Sequence, residues 1–190
     1  MTQADAGEPG AIRGLRSRWV FGAITASLRR QLLAFWMRER ALDNPDEAWR
    51  RSWEVACLLE EPATGDIAGV CTVAIALDDQ HRCYGFLRIF IAPRERRPGL
   101  GRRMLRTVIE GFEALAREPG APLRLVATIE NRKIEGRGVQ RVLAHLGFEC
   151  TGRTPRGELL IQRPLGTRAL RPERCGEPAL EEAPGVTTRG

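Results

Sequence analysis

Lysine is almost missing from this sequence: Lys133 is the only one, although Lys and Arg together number 30 of 190 residues. A phosphate loop of the G-x-x-x-x-G-K-[ST] type needs a lysine after its second glycine, so a Walker-type nucleotide site is excluded. The five cysteines (Cys57, Cys71, Cys83, Cys150, Cys175) include no C-x-x-C pair. An odd number without that spacing argues against a disulfide framework or a zinc site, and a reducing cytoplasm is the expected setting. No apolar run is long enough to span a bilayer. The stretch Trp19 to Leu28, which follows arginines, is short and leads into a charged helix, so it is expected to form core rather than a signal or an anchor. Aromatic residues make up 6% of the chain and do not interleave with a basic stripe, which leaves no stacking platform for single-stranded nucleic acid.

What is present is arginine. The net charge of +6 invites a polyanionic partner. Much of it is interleaved with glutamate, however, as in Arg38-Glu39-Arg40 and in Glu95 between Arg94 and Arg96. That interleaving reads as a solvated surface more than as a nucleic-acid groove.

The hydrophobic period changes along the chain. Residues 1–12 carry Gly7, Pro9 and Gly10 and predict no anchored element. "AITASLRRQLLAFWMRERAL", residues 23–42, sets Ile24, Leu28, Leu32, Leu33 and Trp36 on one helical face. "DNPDEAW" supplies a cap and a proline for a second short helix through Arg51. "WEVACLLEE", "DIAGVCTVAIALDD" and "YGFLRIFIA" then read as three strands joined by hairpin loops. A helix from about Gly101 to Arg117, a strand "LRLVATIE", a helix "VQRVLAHL" stopping at Gly147 and a strand "GELLIQRPL" complete one domain over residues 13–165. Residues 166–190 lack periodicity and predict a disordered tail. The expected fold is α/β of the α+β kind: a mixed sheet flanked by helices, with a crossover between the third and fourth strands.

At that crossover stands "FLRIFIAPRERRPGLGRRML", where a strand hands over to a helix through two glycines. Glycine there lets backbone N–H groups approach a ligand, and a helix N-terminus adds unpaired amides and a positive dipole end. Arg94, Arg96, Arg97, Arg102 and Arg103 strengthen the preference for an anion. A dinucleotide fingerprint is excluded, because its third glycine would fall at Met104 and the preceding strands read as hairpin-linked. What remains is R-x-x-G-x-G, from Arg96 through Gly99 to Gly101.

This stretch resembles the acyl-CoA-binding motif of the GNAT acetyltransferases, in which a strand ends in V-x-P and continues into R-G-x-G-x-G. Ile91, Pro93, Arg96, Gly99 and Gly101 hold the matching positions. Glu130-Asn131 followed by "RVLAHLGFECTG" is similar to the family's second motif, and the likeness spans Ile24 to Leu165. The resemblance implies a centrally splayed sheet that binds acetyl-CoA. The pyrophosphate would sit on the turn formed by Arg96, Arg97, Gly99, Leu100, Gly101 and Arg102. The pantetheine arm would pair with the backbone of Ile89, Phe90 and Ile91, with Asn131 facing the slot and the Ile91 N–H polarising the acyl carbonyl. No metal is implied.

The resemblance also exposes a departure. The tyrosine that usually protonates the departing thiolate is replaced by Leu143, the loop after Asn131 is longer than usual, and the chain's only tyrosine is Tyr84. His145 reads as a surface residue and Cys150 as a buried strand residue, with acylation of Cys150 as the alternative. For the acceptor, Glu54 and Arg88 interrupt apolar strand runs and Glu130 ends one; a charge so placed is paired or functional. One account is a Glu54–Arg88 ion pair across neighbouring strands. The other has one of them deprotonate or orient the amine while the second holds an acceptor carboxylate. The resemblance thus implies an N-acetyltransferase that moves an acetyl group from acetyl-CoA to an amine of a small molecule or a protein, against the alternative of a non-catalytic acyl-CoA-binding module. Pairing into a homodimer stays open.

Overall fold

The computed structural model describes residues 14–129 and 136–166. Seven strands form one sheet in the order β1-β2-β3-β4-β5-β7-β6. They are β1 Arg16–Trp19, β2 Val55–Glu60, β3 Ile67–Leu77, β4 Cys83–Ile91, β5 Arg124–Ile129, β6 Glu149–Arg153 and β7 Leu159–Pro164. Helices α1 Ala26–Arg38, α2 Pro45–Arg51, α3 Leu100–Leu115 and α4 Arg137–His145 accompany it. Every strand pairing is antiparallel except β4 with β5, which the α3 crossover makes parallel. Among the described residues no helix is long and apolar enough to cross a membrane.

Local chemistry explains the helix ends. Thr25 Oγ1 accepts from the Leu28 amide at 3.1 Å, and Asn44 Oδ1 from that of Asp46 at 2.8 Å ahead of Pro45. Past α4, Gly147 N donates to Ala144 O and Phe148 N to Leu143 O, each at 2.9 Å, a paired closure with buried Leu143 and Phe148 beside it.

The sheet separates two cores. On one face Cys71, Val73 and Leu87 meet Met104, Val108 and Phe112 of α3; on the other Leu58 and Val70 meet Leu32, Phe35 and Trp36 of α1. Strand alternation sends neighbouring residues to opposite cores. Each fully buried side chain of this size contributes about 1.5–3 kcal/mol. Gly111 on α3 is required by the first core: a Cβ there would lie 2.5 Å from the Trp19 ring.

Two strands were not expected from the sequence. β1 is four residues long, with Arg16 and Arg18 outward and Trp19 on the α3-side core, too short for its alternation to stand out. It is held at the sheet edge because Arg16 and Arg18 reach the buried Glu60 of β2 at 2.7 and 2.9 Å. β6 is exposed at all five residues, so no periodic signal marks it. Cys150 lies on it, a strand residue as read from the sequence, but is exposed where a buried cysteine was expected. Glu54 does not begin a strand but ends a 3-10 turn, Ser52–Glu54, just before β2. The tails expected at 1–12 and 166–190 fall outside the described residues, apart from Gly166.

Candidate functional site

β4 is the spine of the site. It pairs with β5 only at Gly85↔Leu125 and Phe86↔Val126, whereas it follows β3 as far as Ile91↔Gly69. β5 meanwhile runs along β7 to Ile129↔Leu159. From Leu87 onward β4 therefore has a partner on one side only, and a slot opens between the two central strands. Backbone alternation settles which groups face it. Ala92 N donates to Ala68 O on the β3 side, while Cys83 O accepts from Leu123 N on the other side, both at 2.9 Å. The N–H and C=O groups of Leu87, Ile89 and Ile91 consequently point into the slot, and those of Arg88 and Phe90 towards β3.

Two of the three strand residues expected to line the slot with backbone, Ile89 and Ile91, do so. Phe90 does not: its backbone serves β3, and its ring lies 5.9 Å from that of Phe35 on the opposite face. A period of two cannot place three consecutive residues on one edge.

After β4 the chain makes a 3-10 turn, Pro93–Glu95, and reaches α3 through Gly99. Gly99 has φ +89°, a left-handed conformation that disfavours any residue with a Cβ. It caps α3 without a side-chain acceptor, and the first turn holds no acidic residue. The first firm backbone bond is Arg103 N to Gly99 O at 2.9 Å, so the amides of Gly101 and Arg102 have no acceptor among the described residues. A Cβ built at Gly99 or Gly101 meets nothing within 4 Å. Room beside the two glycines and unpaired amides at a positive helix end fit a phosphate-bearing ligand.

The arginines around the turn divide. Arg103 donates to the Leu15 carbonyl, Arg96 Nε to Ile91 O at 3.1 Å, and Arg94 pairs with Glu39 at 3.3 Å. Arg97 is exposed and only loosely tied to Glu95 at 3.9 Å, and Arg102 is exposed, so these two are left to meet an anion. Leu100 packs its side chain into the α3 core.

On the other face of β4 lies a cavity of about 230 Å³, walled by Trp36, Leu42 and Phe90 and bearing Arg51, Thr72 and Arg88. Ile89 also lines it, so cavity and slot adjoin at this strand. Arg88 stacks 4.4 Å from the Phe86 ring, and its Nη1 is 3.6 Å from Glu54 Oε2. Burial holds its pKa below the ordinary arginine value; the charge of Arg51 adds to this and Glu54 opposes it. The Glu54–Arg88 contact is thus real but does not join neighbouring strands, since β3 lies between β2 and β4. Glu54 is bound more closely by Arg50, at 3.0 Å through Oε1, and its Oε2 is buried without a hydrogen bond.

Glu130 and Asn131 lie outside the described residues. Leu143 is buried in the α3-side core, His145 is exposed with Nδ1 2.7 Å from Arg141 O, and Tyr84 sits at the far end of β4. The sequence gives Trp36 and Arg51 only as helix residues and does not single out Thr72, although all three line the cavity. Arg51 reads there as the end of a solvated helix, and no local pattern shows that α2 folds it towards Arg88.

Residues 22–148 match the family model described as Acetyltransferase (GNAT) family. No curated protein matches the chain. Among solved structures, a GNAT-family acetyltransferase from Streptococcus pneumoniae is similar at 20% identity and TM-score 0.58, over 80% of this chain and 100% of that one. Ribosomal-protein-S5-alanine acetyltransferase from Vibrio fischeri gives 16% and 0.56, over 79% and 92%. A GNAT superfamily phosphinothricin acetyltransferase from Sinorhizobium meliloti, solved with AcCoA, gives 19% and 0.56, over 80% and 89%. At such identities the likeness is one of fold.

Proposed function

This chain belongs to the GNAT acetyltransferase family, and on that footing we propose that it transfers an acetyl group from acetyl-CoA to an amine by direct attack on the thioester. The observation that carries the reading is the released edge of β4 running into orphaned amides at the start of α3. Acetyl-CoA, when bound, supplies the activated acetyl group. The amides of Gly101 and Arg102 receive its diphosphate, with Arg97 and Arg102 adding charge. Ile89 and Ile91 offer their slot-facing backbone to the pantetheine arm as a further strand would. The Ile91 N–H donates to the acyl oxygen as negative charge gathers there, where a fixed donor costs no reorganisation.

The acceptor enters from the cavity side. Glu54 Oε2, buried and lacking a hydrogen bond, is the candidate that takes the amine's proton, and Arg88 orients the acceptor; Glu130 remains a second candidate base on its sequence position. The burial of Leu143 among apolar side chains leaves the thiolate to be protonated by water. The same observation favours a second reading, an acyl-CoA-binding module without catalysis.

Calorimetric titration with acetyl-CoA separates these. Wild-type protein should bind with a Kd on the order of micromolar. The double variant Gly99→Glu, Gly101→Glu should lose about 100-fold or more while keeping its circular dichroism, because two carboxylates would then face the diphosphate. Binding with thiol release in the presence of an amine supports the transferase; binding without release for any amine leaves the binding module. Absence of binding in the wild type removes both.

A further inference from the structure

The cavity beside β4 has an unbalanced charge. Arg51 and Arg88 line it and no acidic residue does; Arg50, Glu47 and Glu54 lie near enough to act on the Arg88 charge. Each glutamate is committed first to a neighbour on its own segment: Glu47 to Arg51 at 2.6 Å and Glu54 to Arg50 at 3.0 Å. Arg88 is left with Glu54 at 3.6 Å, beyond hydrogen-bond reach. Arg51 Nε is buried with no hydrogen-bond partner in the protein, a state a folded chain tolerates rarely and one that a group from outside the chain would complete. Glu54 Oε2, 3.6 Å from Arg88 Nη1, is a buried acceptor without a hydrogen bond. One region thus holds an unmet donor, an under-paired guanidinium and an unmet acceptor, over an apolar wall of Trp36, Leu42 and Phe90.

We propose that the acceptor is a small amine that also carries a carboxylate, an amino-acid-like molecule. Its carboxylate is held by Arg51 and Arg88, its apolar part lies on Trp36 and Phe90, and its amine is turned to Glu54. A guanidinium pair recognises a carboxylate in preference to a neutral amide because its donors are charged and fixed in plane. The volume, about 230 Å³, suits one such molecule. In the step itself the amine nitrogen bonds to the acyl carbon as the C–S bond breaks, the bonding electron pair leaving on sulfur. The amine's proton passes to Glu54 and then to water, and the thiolate takes a proton from water.

This inference rests on the acyl-transfer reading, and its test keeps the two apart. With the full chain and saturating acetyl-CoA, thiol release is measured for free L-amino acids and for the matching L-amino-acid carboxamides. At least one free acid should be turned over with kcat/KM about tenfold or more above its amide. Arg88→Leu and Arg51→Leu should raise KM for the acid about 10–100-fold, the loss of a charge-assisted hydrogen bond, and erase the preference over the amide. Arg88→Lys should recover part of it, and the acetyl-CoA Kd should stay within about twofold in all three. Carboxamides used as well as acids, or acetyl-CoA binding with turnover confined to amines that lack a carboxylate or with no turnover in either series, would overturn the proposal. Failure to bind acetyl-CoA would instead remove the reading beneath it.

Discussion

The two sides of β4 are built in different ways. The slot on its β5 edge and the turn after it present backbone: amides, carbonyls and the room left by two glycines. The cavity on its α1 and α2 face presents side chains drawn from α1, α2, β3 and β4. A backbone surface binds what all members of a fold share, because it tolerates almost any side chain that leaves the path clear. A side-chain surface binds what distinguishes one member from the next. The donor half of this protein is therefore expected to tolerate substitution except at a few positions, and the acceptor half to change specificity with nearly any.

The sharpest way to break this contrast is Trp36→Ala. Trp36 is 3% exposed and walls the cavity, so the substitution should cost about 3–5 kcal/mol of stability in denaturant unfolding. It should also raise KM for the acceptor while the acetyl-CoA Kd moves by less than about twofold. A comparable loss of acetyl-CoA affinity would show that the two halves are one site.

Glu60→Gln is the control outside both halves and should cost about 1–3 kcal/mol near neutral pH. Burial by itself would raise the Glu60 carboxyl, but hydrogen bonds from Arg18 and Arg16 outweigh that and hold its pKa below the usual value. A depressed folded pKa means that this stabilisation is present above the unfolded carboxylate value and is lost as pH falls through the folded one. Unfolding curves of wild type and variant should converge as the medium is acidified below about pH 4.5. A gap that persists under acid would show that packing, not charge, holds β1 to β2.

The smallest change sharpens the donor side. Gly99→Ala places a Cβ at φ +89° with no steric obstacle nearby, so its cost is backbone strain alone, about 1 kcal/mol. Acetyl-CoA affinity should fall severalfold by calorimetry because the cap of α3 relaxes. Unchanged affinity would place the diphosphate elsewhere than on this turn.

Much of the backbone that forms the proposed donor half was legible because its signals are local. Ile91, Pro93, Gly99 and Gly101 sit within eleven residues, and a strand, a glycine turn and a helix start follow one another in the chain. Phe90 was misplaced there, because which edge of a strand a backbone group faces depends on hydrogen bonds to partners such as Ala68 and Leu123, not on its neighbours in sequence. β1 and β6 escaped notice for a related reason: β1 is four residues long with a single large apolar side chain, and β6 is exposed throughout, so neither shows a readable hydrophobic period. Glu54 and Arg88 stood out as charges in apolar surroundings, and they do approach each other, yet over an intervening strand rather than between neighbours.

By itself the sequence determined the order of the four helices and of five of the seven strands, and the glycine turn at the start of α3. Periodicity and backbone stereochemistry act over a few residues, so a linear reading captures them. Only the tertiary structure decided where β4 leaves β5, and that Arg51, Thr72 and Arg88 share one cavity with Trp36. Those facts arise from the packing of α1 and α2 over the sheet, and contacts between residues so far apart in the chain leave no mark on the spacing of either partner.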